Sequence, residues 1–91
     1  MSIGVYHHPQ GMTKAQYDDV LGKLEAAGAG SPAGRTHHAC FGPPGALMVF
    51  DIWDSAEQFE AFGETLMPIL AEVGIQGGPP AVMPVENVIE G

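Results

Sequence analysis

Apolar and polar positions change period several times along the 91 residues of this chain, and each change marks an element. Residues 2–8 (SIGVYHH) are short and rich in strand formers, and a break at Pro9 to Gly11 follows, which predicts a first strand. Beyond it Tyr17, Val20, Leu21, Leu24 and Ala27 recur at helical spacing, while Asp18, Asp19, Lys23 and Glu25 take much of the opposite face. Thr13 stands three positions before Gln16, a spacing at which each side chain can satisfy the other's backbone N–H, so the helix is predicted to start there. Gly28-Ala29-Gly30-Ser31-Pro32 ends it and supplies a loop.

Residues 35–41 (RTHHACF) and 46–53 (ALMVFDIW) read as two strands joined by Gly42-Pro43-Pro44-Gly45. A two-residue type I′ turn needs positive φ at both central residues and proline cannot supply it, so a loop of four residues or more is expected. If the hairpin is symmetric about Pro43-Pro44, Cys40 faces Leu47, His38 faces Val49 and Thr36 faces Asp51, and a slip or bulge of one residue would substitute His37. Ser55 precedes Gln58 by three, a second capping spacing, and Phe59, Phe62, Leu66, Ile69, Leu70 and Val73 form the apolar stripe of a second helix. Pro68 is expected to kink or divide that helix. The segment AVMPVENVI at 81–89 is a last strand, and Pro84, which lacks an N–H, places it on an edge.

The order strand, helix, strand, strand, helix, strand predicts one α+β domain over residues 1–91. Right-handed crossovers fold that order into a ferredoxin-like, four-stranded antiparallel sheet with both helices on one face. The other face would carry Met48, Phe50 and Ile52, too apolar to leave in water. Pairing with an identical sheet would bury both patches, so a homodimer is expected.

Composition narrows the function classes. The formal net charge is −8, and only three residues are Lys or Arg, so no basic patch exists to neutralise a run of phosphates. Neither nucleic acid nor an anionic membrane is an expected partner, and no apolar run approaches the length of a membrane-spanning helix. The N-terminal MSIGVYHHPQ lacks a basic segment followed by an apolar stretch, so no signal peptide and a cytoplasmic location are expected. Cys40 is the single cysteine, which excludes an internal disulfide and any zinc site built from cysteines. It has no basic neighbour in sequence to activate it, which fits an inert buried thiol better than a nucleophile.

The run Asp51-Ile52-Trp53-Asp54-Ser55-Ala56-Glu57-Gln58-Phe59-Glu60-Ala61-Phe62 resembles the acidic-x-Trp signature of the dimeric α+β barrel superfamily. More narrowly, it is similar to the antibiotic biosynthesis monooxygenase-like group, in which a third strand ends in that signature and the second helix follows directly. The resemblance implies the βαββαβ fold and a pocket between helices and sheet. It is compatible with cofactor-free quinone-forming monooxygenases, haem-degrading enzymes, polyketide cyclases, muconolactone isomerases and proteins with no assigned chemistry. Several enzymes of the group carry a helix histidine nine or ten residues after the Trp. Here those positions are Phe62 and Gly63, which disfavours haem degradation through such a ligand.

The pocket that the resemblance implies would be lined by Asp51, Trp53, His38 and Phe62, with Tyr17 contributed by the first helix. Asp51 and His38 are the candidate catalytic residues. A carboxyl facing an apolar cavity is expected to hold its proton more tightly, and a histidine beside it titrates near neutrality. Trp53, Phe62 and Tyr17 are the candidate substrate-binding residues. Each also has a structural reading: Asp51 bound to Thr36 or backbone, His38 a hydrogen-bonded sheet residue, Trp53 core. Adjacent strand residues face opposite ways, so His7-His8 and His37-His38 are each expected to offer one ring to any single site. The facing of Tyr6 and Asn87 is left open.

The leading expectation is thus a pocket protein that takes a hydrophobic or aromatic small molecule without a bound cofactor or metal and moves a proton through Asp51 or His38. Oxygen transfer, isomerisation and cyclisation share that first step. The alternatives are a non-catalytic dimeric barrel that binds a metabolite or serves in stress, a polyketide cyclase or isomerase, and a metal-dependent enzyme built on the histidines.

Overall fold

A computed structural model describes residues 1–91. The elements follow as β1 (Ile3–His7), α1 (Lys14–Ala26), β2 (Arg35–Phe41), β3 (Met48–Trp53), α2 (Ala56–Val73) and β4 (Ala81–Pro84). The four strands form one antiparallel sheet in the order β2-β3-β1-β4, the ferredoxin-like arrangement expected from the βαββαβ order. Both helices pack on the face that carries Ile3, Val5 and Trp53, which join Val20, Leu24, Phe62 and Ile69 in the core.

Both helix starts use the predicted caps. Thr13 Oγ1 accepts from Gln16 N–H at 3.1 Å and the Gln16 side chain accepts from Thr13 N–H at 3.0 Å, a complete capping box. Ser55 also accepts from Gln58 N–H, at 3.2 Å, but its hydroxyl donates to Gln58 Oε1 at 3.0 Å. That bond holds the glutamine side chain locally, and the second cap is one-sided. Pro68 does not divide α2, which runs from Ala56 to a left-handed Gly74 at its C-cap.

The β2–β3 pairing differs from the symmetric hairpin by two residues. Cys40 pairs with Val49 and His38 with Asp51. Ala46 N–H closes the turn onto the Pro43 carbonyl, and Leu47 N–H donates to the Met12 carbonyl, so residues 46 and 47 are withdrawn from the ladder and β3 begins at Met48. A shift of two keeps every side chain on its face. A bulge between Arg35 and His37 then leaves Thr36 without a partner and sets Arg35 opposite Trp53. Thr36 therefore does not face Asp51, and its hydroxyl donates to the Ile52 carbonyl at 3.3 Å.

β4 is shorter than the predicted 81–89. Its partner β1 runs out at the N-terminus, and the last bond between the two is Val85 N–H to the Ser2 carbonyl. On the sheet face away from the helices Phe50 is 38% and Met83 61% exposed, and the Tyr6 hydroxyl points to Met48 Sδ at 2.9 Å. Gly4 makes room there: a Cβ on it would lie 3.3 Å from the Phe50 ring. Ile52, between Gly4 and His37, is buried, so the apolar part of this face is narrower than simple alternation implied.

Candidate active site

Three elements bring three polar side chains into line. His38 from β2 sits directly across the ladder from Asp51 of β3, and its Nδ1 lies 2.5 Å from Asp51 Oδ1. Tyr17, which closes the first turn of α1, reaches over the sheet so that its hydroxyl lies 2.6 Å from His38 Nε2, the two rings 4° from parallel. A carboxylate oxygen only accepts, so Nδ1 carries the imidazole proton. In the neutral ring Nε2 then accepts from the Tyr17 hydroxyl. Asp51 is 3% exposed and has no cation of Lys or Arg within ion-pair distance, whereas the His38 side chain is 24% exposed at the sheet edge.

All three residues line a cavity of about 630 Å³ between the helices and the sheet. Its walls are apolar: Leu21 and Leu24 from α1, Phe59, Phe62 and Leu66 from α2. The Gly77-Gly78-Pro79-Pro80 segment also lines it, and the residue just before is tied to the loop after β1 by Gln10 N–H donating to the Gln76 carbonyl. A few polar groups converging on an apolar hollow is the usual make-up of a small-molecule site. Burial pushes the Tyr17 phenol above its ordinary range, helped by Cys40, Asp51 and Asp18 and opposed by Arg35, so this hydroxyl enters any chemistry with its proton on.

The predicted site residues do not all reach this cavity. Tyr17, His38, Asp51 and Phe62 line it. Trp53 does not: it is wholly buried beneath Phe59 and Phe62, with ring centroids 5.7 and 5.2 Å away, and belongs to the core. Its indole Nε1–H has no hydrogen-bond partner. His7 is a lining residue that the sequence left undecided; it faces inward because β1 alternates with Ile3 and Val5. His8 lines the cavity too, contrary to the expectation of one ring per pair. The strand ends at His7, and the alternation that would turn His8 away ends with it. No three His, Cys, Asp or Glu side chains come close enough together to share a metal ion, so the histidine-based metal reading finds no ligand set.

Burial lowers the pKa of His7 below 6.5, Asp51 opposing the shift and His38 reinforcing it. The unfolded chain therefore binds more protons here than the folded one, and stability rises with pH through this window. Nothing is lost above 6.5, and the penalty grows as pH falls from there toward the lowered value. Urea unfolding from about pH 7.5 to about pH 5 should show this slope, and His7→Gln should flatten it. An unchanged slope in the variant would place the proton uptake elsewhere.

No protein-family model matches the chain, and no curated protein sequence matches it either. Solved structures do. SnoaB, a cofactor-independent oxygenase from Streptomyces nogalater, superposes with a TM-score of 0.64 over 97% of this chain and 94% of that one, at 11% identity. The chain has the fold of the antibiotic biosynthesis monooxygenase-like proteins. Two candidate antibiotic biosynthesis monooxygenases share it. The one from Caulobacter crescentus gives a TM-score of 0.59 at 16% identity over 97% and 89% of the two chains. The one from Chloroflexus aurantiacus gives 0.57 at 19% identity over 99% and 97%. Within this monooxygenase-like fold the present chain carries its polar line on α1, β2 and β3, while α2 contributes only apolar side chains and Glu60 to the hollow.

Proposed function

We propose that this protein is an enzyme that removes a proton from a hydrophobic, aromatic hydroxyl compound held in the cavity, as the first step of a cofactor-independent oxygenation. The observation that carries the reading is the line Tyr17, His38, Asp51 opening onto an apolar cavity. A substrate hydroxyl donates to the Tyr17 oxygen, Tyr17 passes its own proton to His38 Nε2, and Asp51 stabilises the imidazolium that forms. Because Tyr17 gains one proton as it loses another, its raised pKa is no obstacle. Dioxygen then oxidises the ring C–H opposite the ionised oxygen: one oxygen atom becomes the new carbonyl, the other leaves as water with that ring hydrogen and the proton held by the enzyme, and the enzyme regains its starting protonation. The likeness to SnoaB supports the fold in which this would occur.

Oxygen uptake tests it. Anthrol-like substrates should consume one dioxygen per quinone formed, with no added metal or cofactor. Inertness across a broad anthrol and quinol panel, with no binding of any member, would overturn it.

We also propose that a second copy covers the open sheet face, where Phe50, Met83 and Phe41 stand exposed. Light scattering at micromolar concentration should return twice the 9.5 kDa chain mass. Phe50→Lys should lower it toward that of one chain. A monomeric wild-type protein would refute the pairing.

A further inference from the structure

The chain has three Lys or Arg residues among eleven Asp and Glu, and two of the three are paired. Lys14 meets Asp18 at 2.6 Å, and Lys23 meets Asp19 at 3.4 Å and Glu72 at 3.7 Å. Arg35 meets no carboxylate within 4.0 Å, in a protein with a surplus of them. Its side chain makes one hydrogen bond, to the Gly30 carbonyl at 3.3 Å, and its guanidinium lies 5.9 Å from the Phe62 ring centre. It lines the apolar cavity and also a smaller polar hollow of about 230 Å³ beside it, and His38 borders both. The bulge at Thr36 is what sets it there: without the extra residue, position 36 would hold the place opposite Trp53.

A guanidinium has five N–H donors in a planar fork that matches a carboxylate, and it stays charged at any physiological pH. Arg35 uses one donor. Turning an unpaired cation toward an apolar hollow costs solvation, and an anion arriving in the hollow would recover it. The acidic surface adds a second reason, since a net charge of −8 repels an anionic ligand everywhere except near such a cation.

We propose that Arg35 is a substrate-binding residue and that the natural ligand is an aromatic carboxylate, its rings in the apolar cavity and its carboxylate on the Arg35 fork. This deepens the reading given under Proposed function and rests on the same cavity. It assigns the charge class of the ligand, whichever reaction follows. The ring body, fixed at its carboxylate end, would present a hydroxyl to Tyr17.

Paired probes test it without turnover. Anthracene-2-carboxylate and anthracene-2-carboxamide differ in charge and little in shape, and both report binding by their own fluorescence. The wild-type protein should bind the carboxylate about tenfold or more tightly than the amide, the size of a charge-assisted bidentate pair. Arg35→Gln should bring the two to parity with amide affinity kept. Arg35→Lys should retain part of the preference, and Lys14→Gln, which removes an exposed charge, should retain all of it. Equal binding of both probes by the wild type, or a preference that survives Arg35→Gln, would overturn the proposal while leaving the cavity a binding site. Failure of the wild type to bind either probe would overturn the cavity reading and this proposal with it. If Arg35→Gln does not fold, the wild-type preference still decides the charge class of the ligand, and partial retention in Arg35→Lys decides the part played by Arg35.

Discussion

Asp51→Asn is expected to lower oxygen uptake on an anthrol-like substrate by about 10²- to 10⁴-fold, with the fold intact. The side chains are nearly the same size, so the strand pairing around position 51 should hold. What changes is the partner of His38 Nδ1. If the new amide donates to Nδ1, the imidazole proton moves to Nε2, which then cannot accept from Tyr17. If the amide oxygen accepts instead, the neutral tautomer survives, but the imidazolium formed on proton transfer loses the carboxylate that stabilises it. Either way the step fails at His38. Initial rates by oxygen electrode, with circular dichroism as the folding control, measure it. A variant within threefold of wild type would remove Asp51 from the mechanism.

Trp53→Ala is expected to cost about 3–5 kcal/mol, since it empties the centre of the core beneath Phe59 and Phe62. A domain of this length has roughly 5–14 kcal/mol in all, so the variant should be largely unfolded at moderate urea. Trp53→Phe should be far milder, about 1 kcal/mol. It loses part of the ring volume but also removes a buried indole N–H that has no partner and that burdens the native state by roughly 1–3 kcal/mol. Urea unfolding followed by far-ultraviolet circular dichroism separates the two, because Trp fluorescence is lost in both. Equal damage from the two substitutions would mean that indole shape, rather than filled volume, holds the core.

Strand alternation and helix periodicity are local properties, and much of what depends on them is legible in the chain. The six elements, both N-caps and the apolar stripe that includes Phe62 follow from spacing alone, whereas the turning of His38 and Asp51 into the cavity also needs the pocket position that the family resemblance implies. Pairing register is different. It is set by Leu47 N–H reaching the Met12 carbonyl, a bond between residues 35 positions apart that no hairpin rule anticipates. The two-residue shift preserves facing, so spacing puts His38 and Asp51 on one face without giving their direct pairing. The Thr36 bulge does not preserve it, and so Arg35 went unnoticed as a cavity residue. A strand-end aromatic such as Trp53 fits both platform and core. Only the positions of Phe59 and Phe62 above it show that the cavity stops short. The Gly77-Pro80 wall carries no periodicity, so nothing in the sequence marked it as part of a site.

β2 is an outer strand, and His38 stands on it with its side chain partly in solvent while Asp51, one strand in, is sealed. In the proposed reaction this separates two kinds of traffic. An aromatic substrate enters and leaves by the apolar hollow, whereas a proton captured by the imidazole is already at the border of bulk water and can be handed to buffer from the sheet edge. The imidazolium can therefore lose its proton to buffer, and regain one for the departing oxygen, without waiting for product to leave, and small buffer molecules would exchange it without competing for the substrate's place.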